Sequence, residues 1–139
     1  MAIRSFIDTN ILIYAEASDE AVKQRQAINL LKTLYETASG VLSTQVLQEY
    51  CNVALKKLKL PVEHTRAQLH WYQQFEIIQV TPETLRAALD LHQTRSIGFY
   101  DAIIVTSAQT AGCAELLSED FNSGEVMNGV RIRNPFANN

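Results

Sequence analysis

Apolar positions in this chain follow two rhythms: short unbroken runs, and longer stretches in which they return every third or fourth residue. The first stretch, Ile3-Arg4-Ser5-Phe6-Ile7, ends on the apolar pair Phe6-Ile7, stops at Asp8 and predicts a buried strand. Behind it, Ile11, Leu12, Tyr14 and Ala15 predict a short helix with Asp8 or Thr9 at its start. Residues 18–37 carry Ala21, Val22, Ala27, Leu30, Leu31 and Leu34 at helical spacing, with Asp19 and Glu20 suited to the positive N-terminal end. Ser39-Gly40 breaks that pattern. Val41-Leu42-Ser43 predicts a second strand, and 44–58 a helix built on Val46, Leu47, Tyr50, Val53, Ala54 and Leu58. Glu49 stands among those apolar positions, where a charged residue needs a reason.

The second half repeats the alternation. Pro61 opens a helix over roughly 62–74, packed through Leu69, Tyr72 and Phe75, and 75–80 is strand-like. Thr81-Pro82-Glu83 is a helix start with an N-cap threonine, proline at the first position and an acid in the first turn; that helix runs to about Thr94. Phe99 or Tyr100 opens a last helix over 101–111, closed by Gly112. Residues 114–118 form a strand ending at Glu119-Asp120, 121–129 a loop, and 130–133 a final strand. Short strands separated by helices predict an α/β fold with a parallel sheet covered on both faces.

Composition narrows the class. A chain of 139 residues is one domain (1–139) able to bury a core without cross-links, and 47% hydrophobic against 19% charged fits a globular protein. No run nears the roughly 18 apolar residues that a membrane span requires, and no secretion signal opens the chain. Cys51 and Cys113 have no metal or redox spacing and read as core residues in a reducing, cytoplasmic setting. The net charge of −3 excludes a strongly basic patch as the main binding device. Setting aside four carboxylates as ligands of a cation brings the remainder to +1, which does not exclude an anionic substrate.

Those four are Asp8 at the end of strand one, Glu49 a turn into the helix after strand two, Asp101 in the first turn of the last helix, and Asp120 after the fourth strand. In a right-handed parallel sheet the carboxyl ends of strands share one edge, where the following helices begin, so Asp8, Glu49 and Asp120 belong together. Periodicity does not place Asp101: the helix leading into a strand is expected to start at the opposite edge unless the excursion over 82–98 carries the chain back. Clustered carboxylates repel one another and call for a cation. An all-oxygen set without His or Cys suits Mg²⁺ or Mn²⁺ rather than Zn²⁺. Such ions assist water in attacking a phosphodiester.

Ile7-Asp8-Thr9-Asn10-Ile11-Leu12 resembles the opening motif of PIN-domain nucleases. Glu49 in a helix after a Ser-Thr pair, Tyr100-Asp101-Ala102 at a helix start, and Leu117-Ser118-Glu119-Asp120-Phe121 resemble the other three signatures in order. The resemblance spans essentially the whole chain, whose length matches VapC-type toxins of bacterial toxin–antitoxin pairs. It implies a three-layer α/β/α sandwich, metal binding by Asp8, Glu49, Asp101 and Asp120, single-stranded RNA as substrate, a homodimer and an inhibitory antitoxin. It also implies that Asp101 reaches the active edge. Thr9, Asn10 and Ser118 are expected to orient the carboxylates, or merely to make caps and turns. Glu119 rivals Asp120, but neighbouring side chains at a strand end point opposite ways, and the family pattern favours Asp120.

Other polar residues have plainer readings. His64, His70 and His92 fall on helices without ligand spacing. Lys56, Lys57 and Lys59 are candidates for RNA phosphate contacts, or for favourable placement near a helix C-terminus. Arg131 and Arg133 suggest an edge strand protected by charge, and Trp71, Tyr72 and Phe75 core packing. A dehalogenase-like phosphatase would need an acid where Asn10 stands and a lysine before the late acids; a receiver domain would need a lysine ending the last strand. The remaining alternative is a PIN-like module that binds RNA or protein without cutting.

Overall fold

The computed structural model describes residues 2–137. Its strands are β1 (Ser5–Ile7), β2 (Gly40–Ser43), β3 (Glu76–Ile78), β4 (Glu115–Leu117), β5 (Val126–Met127) and β6 (Val130–Arg133). The helices are α1 (Thr9–Tyr14), α2 (Ala21–Glu36), α3 (Thr44–Lys56), α4 (Val62–Tyr72), α5 (Pro82–Arg95) and α6 (Phe99–Thr110). The strands form one sheet in the order β3-β2-β1-β4-β6-β5, parallel throughout except for the antiparallel β5–β6 pair. Phe6 lies between Val41 and Leu116, and Leu116 continues the row to Ile132. All are buried, as expected for parallel strands covered on both faces.

Three helices start on a side-chain cap that the sequence signals, whereas α2 starts at Ala21, three residues into the stretch read as helical, with no side-chain cap. Asp8 caps α1, Ser43 caps α3 through its hydroxyl, and Thr81 and Thr84 form a reciprocal capping box ahead of Pro82. Gly112 takes φ +70 just past α6, a conformation that favours glycine. Tyr72 and Phe75 are buried in an edge-to-face aromatic group with Trp71 and Tyr35. Among the described residues no helix is long and apolar enough to cross a membrane.

Two expectations need correction. The loop predicted over 121–129 contains β5, a two-residue strand too short to register as a pattern. Strand β6 is therefore not the sheet edge: Arg133 forms a paired salt bridge with Glu115 on β4, and Arg131 reaches the Gly124 carbonyl. Periodicity left open which way the helix carrying Asp101 runs, and the structure shows its direction. Only residues 112–114 connect Ala111 to β4, and a strand parallel to β1 is entered at the amino edge. The C-terminal end of α6 lies there, with its Ala111 carbonyl accepting from Arg4 Nε (3.2 Å) and Nη2 (2.7 Å). A helix antiparallel to its following strand starts at the carboxyl edge, so α6 starts among the other acids. The extra helix is α5, which packs along α6.

Candidate active site

The strand order turns at β1 and β4: from β1 the chain moves outward to β2 and β3, then returns to the other side through β4. At such a switch point the loops leaving two neighbouring strands diverge and open a crevice at their carboxyl ends. A cleft of about 560 Å³ lies there, lined by residues of α1, α3, α6 and the turn after β4. Its wall includes seven carboxylates (Asp8, Asp19, Glu20, Glu49, Asp101, Glu119, Asp120) and one basic residue, Lys57.

Asp8 is the deepest of these, 6% exposed. Its Oδ1 accepts from the Thr9 amide at 2.7 Å and its Oδ2 from the Ser118 hydroxyl at 2.7 Å. Burial pushes its pKa up to about 6; the two hydrogen bonds oppose the rise, and the nearby charges of Asp120 and Glu49 add to it. Glu49 is half-buried, and its Oε1 accepts from the Thr9 hydroxyl at 2.6 Å. Asp120 is exposed and accepts from Asn10 Nδ2 at 3.0 Å. Asp101 is also exposed and has no hydrogen bond to a described residue; burial, then Asp120 and Glu49, raise its pKa.

Thr9, Asn10 and Ser118 hold these acids in place. Ser118, fully buried, donates to Asp8 while accepting from the Asp120 amide at 3.0 Å. Asn10 spans the gap to Ser118 and Asp120. Glu119 lines the cleft but is turned away, accepting from the Tyr14 hydroxyl at 2.6 Å and from Lys23. Burial alone would raise its pKa, but Lys23 and Tyr14 bring it below the usual range.

Lys57 lies on the cleft wall, one helical stripe along from Glu49 and Asn52, whereas Lys56 and Lys59 do not. The histidines are elsewhere: His64 pairs with Glu16 at 2.6 Å, and His92 meets the Ile97 carbonyl. Glu16 also accepts from the Tyr50 hydroxyl at 2.6 Å, a contact between distant segments that no spacing announced. Sequence reading missed Gln45, and named Tyr100 only within the signature around Asp101 without giving it a role. Gln45 is 7% exposed; its Nε2 donates to the Tyr100 carbonyl at 3.2 Å, and its buried Oε1 has no partner among the described residues. A glutamine flanked by Thr44 and Val46 at a helix start carries no pattern that would have singled it out.

Among the described residues, no three His, Cys, Asp or Glu side chains converge closely enough to enclose one metal ion. The donors nonetheless have the chemistry a hard divalent cation needs. They are carboxylate oxygens, and the buried Asp8 carboxylate is met by two neutral hydrogen-bond donors and bonds no basic side chain among the described residues.

The PIN domain family pattern matches residues 5–126, and the chain belongs to the PIN-domain family. Its fold is similar to a toxin–antitoxin complex from Klebsiella pneumoniae, with 26% identity, a TM-score of 0.70, and coverage of 95% of this chain and 98% of that one. VapBC2 of Rickettsia felis, bound to a DNA fragment from its promoter, is similar at 20% identity and TM-score 0.66, covering 93% and 96%. VapC20 of Mycobacterium tuberculosis, described as a toxin that cleaves the sarcin–ricin loop, is similar at 19% and 0.62, covering 84% and 91%. No curated protein matches the chain.

Proposed function

We propose that the chain is a metal-dependent endoribonuclease, the toxin of a toxin–antitoxin pair, with Asp8, Glu49, Asp101 and Asp120 as its catalytic acids. The observation that carries this reading is the Asp8 carboxylate. It is buried at the bottom of an acidic cleft, is fixed by two hydrogen bonds, and bonds no basic side chain among the described residues. A purely structural cap gives no reason for Glu49, Asp101 and Asp120 to line the same cleft. The toxin–antitoxin assemblies among similar folds support a cytoplasmic toxin with an antitoxin partner, and the homodimer is proposed with them.

Mg²⁺ or Mn²⁺ bound here would supply charge neutralisation at the phosphate and a more acidic attacking water. Asp8 and Asp101 are assigned as principal ligands. Glu49 supports a second ion or a water, and Asp120 ligates directly or through water. Thr9, Asn10 and Ser118 orient Glu49, Asp120 and Asp8 through the hydrogen bonds described. Lys57, a basic residue on the cleft wall, takes a substrate phosphate, and Lys56 beside it is proposed for a neighbouring phosphate outside the cleft.

The test is cleavage of a structured RNA panel by purified, antitoxin-free protein, with Mg²⁺ or Mn²⁺ against chelator, beside Asp101→Asn. Cutting that requires metal and is lost in the variant is the expected result. The spread of the acids favours a second reading, RNA or protein binding without hydrolysis. Tight RNA binding with no cutting in either metal would select it.

A further inference from the structure

The acidic cleft poses a problem for any nuclease built on it. Proteins usually draw affinity for nucleic acid from cations on the backbone phosphates. This cleft presents one lysine against seven carboxylates. Bound metal can offset part of that repulsion, but another source of attraction that does not depend on charge is needed. Base stacking on an aromatic ring is such a source, and it requires an exposed ring beside the reacting phosphate.

Tyr100 meets that requirement. It lines the cleft, immediately precedes Asp101, and at 67% exposure is the most exposed of the large apolar side chains among the described residues. Its ring has one aromatic neighbour, Phe99, tilted at 57° with centroids 6.0 Å apart, and its hydroxyl bonds no described residue. Tyr14, the other aromatic residue of the cleft, is already engaged by Glu119, Lys23 and Phe136. The backbone beneath Tyr100 is held twice, by the first turn of α6 and by Gln45. A tyrosine on a fixed backbone has two side-chain torsions to order, so stacking on it costs little entropy.

We propose that Tyr100 is a stacking platform for one unpaired base of single-stranded RNA, seating the adjoining phosphate against the acids. This rests on the nuclease reading above. The platform selects for an unpaired nucleotide without specifying which base, because every base offers a π-face. Double-stranded substrate is excluded, since its bases are stacked on each other.

The experiment is a chemical double-mutant cycle. Wild type, Tyr100→Ala and Tyr100→Phe are each tested on a short single-stranded RNA and on versions with one abasic nucleotide placed at successive positions. Cleavage is followed in Mg²⁺ and binding by anisotropy in Ca²⁺. Tyr100→Ala is expected to keep the wild-type melting temperature and to weaken KM and binding about five- to a hundredfold, with kcat little changed. Tyr100→Phe restores both. One abasic position should weaken wild type by the same factor and leave Tyr100→Ala unaffected. An unchanged KM and binding in Tyr100→Ala, with wild type still cutting, overturns the platform and leaves the nuclease standing. The same result with lost capture of the antitoxin reassigns the ring to a protein contact and also overturns it. Position-specific binding without cutting supports the platform and sinks the nuclease; neither binding nor cutting by wild type sinks both.

Discussion

The Asp8 side chain caps a helix and sits beneath three other acids, and these two situations act on its charge in opposite directions. The Thr9 amide and the Ser118 hydroxyl favour the carboxylate, while burial and the neighbouring charges favour the acid, and burial wins. The folded protein therefore holds the Asp8 proton up to about pH 6, whereas the ordinary value is 3.8. Between those values the native state binds more protons than the unfolded chain. The contribution of Asp8 to stability is thus full below the lower value and is lost as pH rises through the upper one. Asp8→Asn keeps the cap acceptor and removes the charge, but its amide faces a Ser118 hydroxyl whose lone pairs already take Asn10 and Asp120. In chelator at pH 7 the lost charge is worth up to about 3 kcal/mol and the lost Ser118 bond offsets about 1–3 kcal/mol of it, so the expected signature is a flatter stability profile between the two pKa values. A variant profile as steep as that of wild type would show that Asp8 does not carry this pH dependence.

At the scale of elements, α3 and α6 each carry an acid of the cleft, and Gln45 ties one to the other through the Tyr100 carbonyl. A buried amide with an orphan oxygen is poor material for stability, since an unmet acceptor costs about 1–3 kcal/mol. Gln45→Met removes that acceptor at similar volume, and the Tyr100 carbonyl keeps its place in the α6 helix. Its melting temperature should equal or exceed that of wild type, while kcat/KM for RNA falls. Unaltered cleavage by Gln45→Met would mean that the tie has no part in seating substrate. This element scale also divides what the sequence discloses from what it hides. Strands β1, β2 and β4, and the start of α5, are visible because buried parallel strands are continuously apolar and caps are local chemistry. Asp8, Glu49 and Asp120 follow from strand ends, but Asp101 needed the family resemblance because an extra helix, α5, obscures which way α6 runs. The Gln45 contact, the Glu16–Tyr50–His64 group and the internal position of β6 stay hidden, because each joins segments far apart along the chain.

For the whole molecule, the concentration of carboxylates at one edge links folding to metal binding. A cation that binds the native cleft and not the unfolded chain stabilises by mass action, about 2.7 kcal/mol at a hundredfold excess over its Kd. Thermal unfolding in rising Mn²⁺ or Mg²⁺ should therefore shift upward, with the shift reduced in Asp8→Asn, even in preparations with no nuclease activity. An unfolding curve indifferent to both ions would argue against a metal centre at this edge.

The position of β1 in the sheet has a consequence for synthesis. It is among the first strands made, yet one of its two partners, β4, comes only after α6, and Asp120 follows β4. A nascent chain that has reached β3 holds Asp8 and Glu49 on a half-built sheet with one flank of β1 unpaired, and lacks both Asp101 and Asp120. The cleft is complete only once β4 and the turn bearing Asp120 have been made, so a nascent chain short of α6 presents two of the four acids and half of the sheet that would hold them.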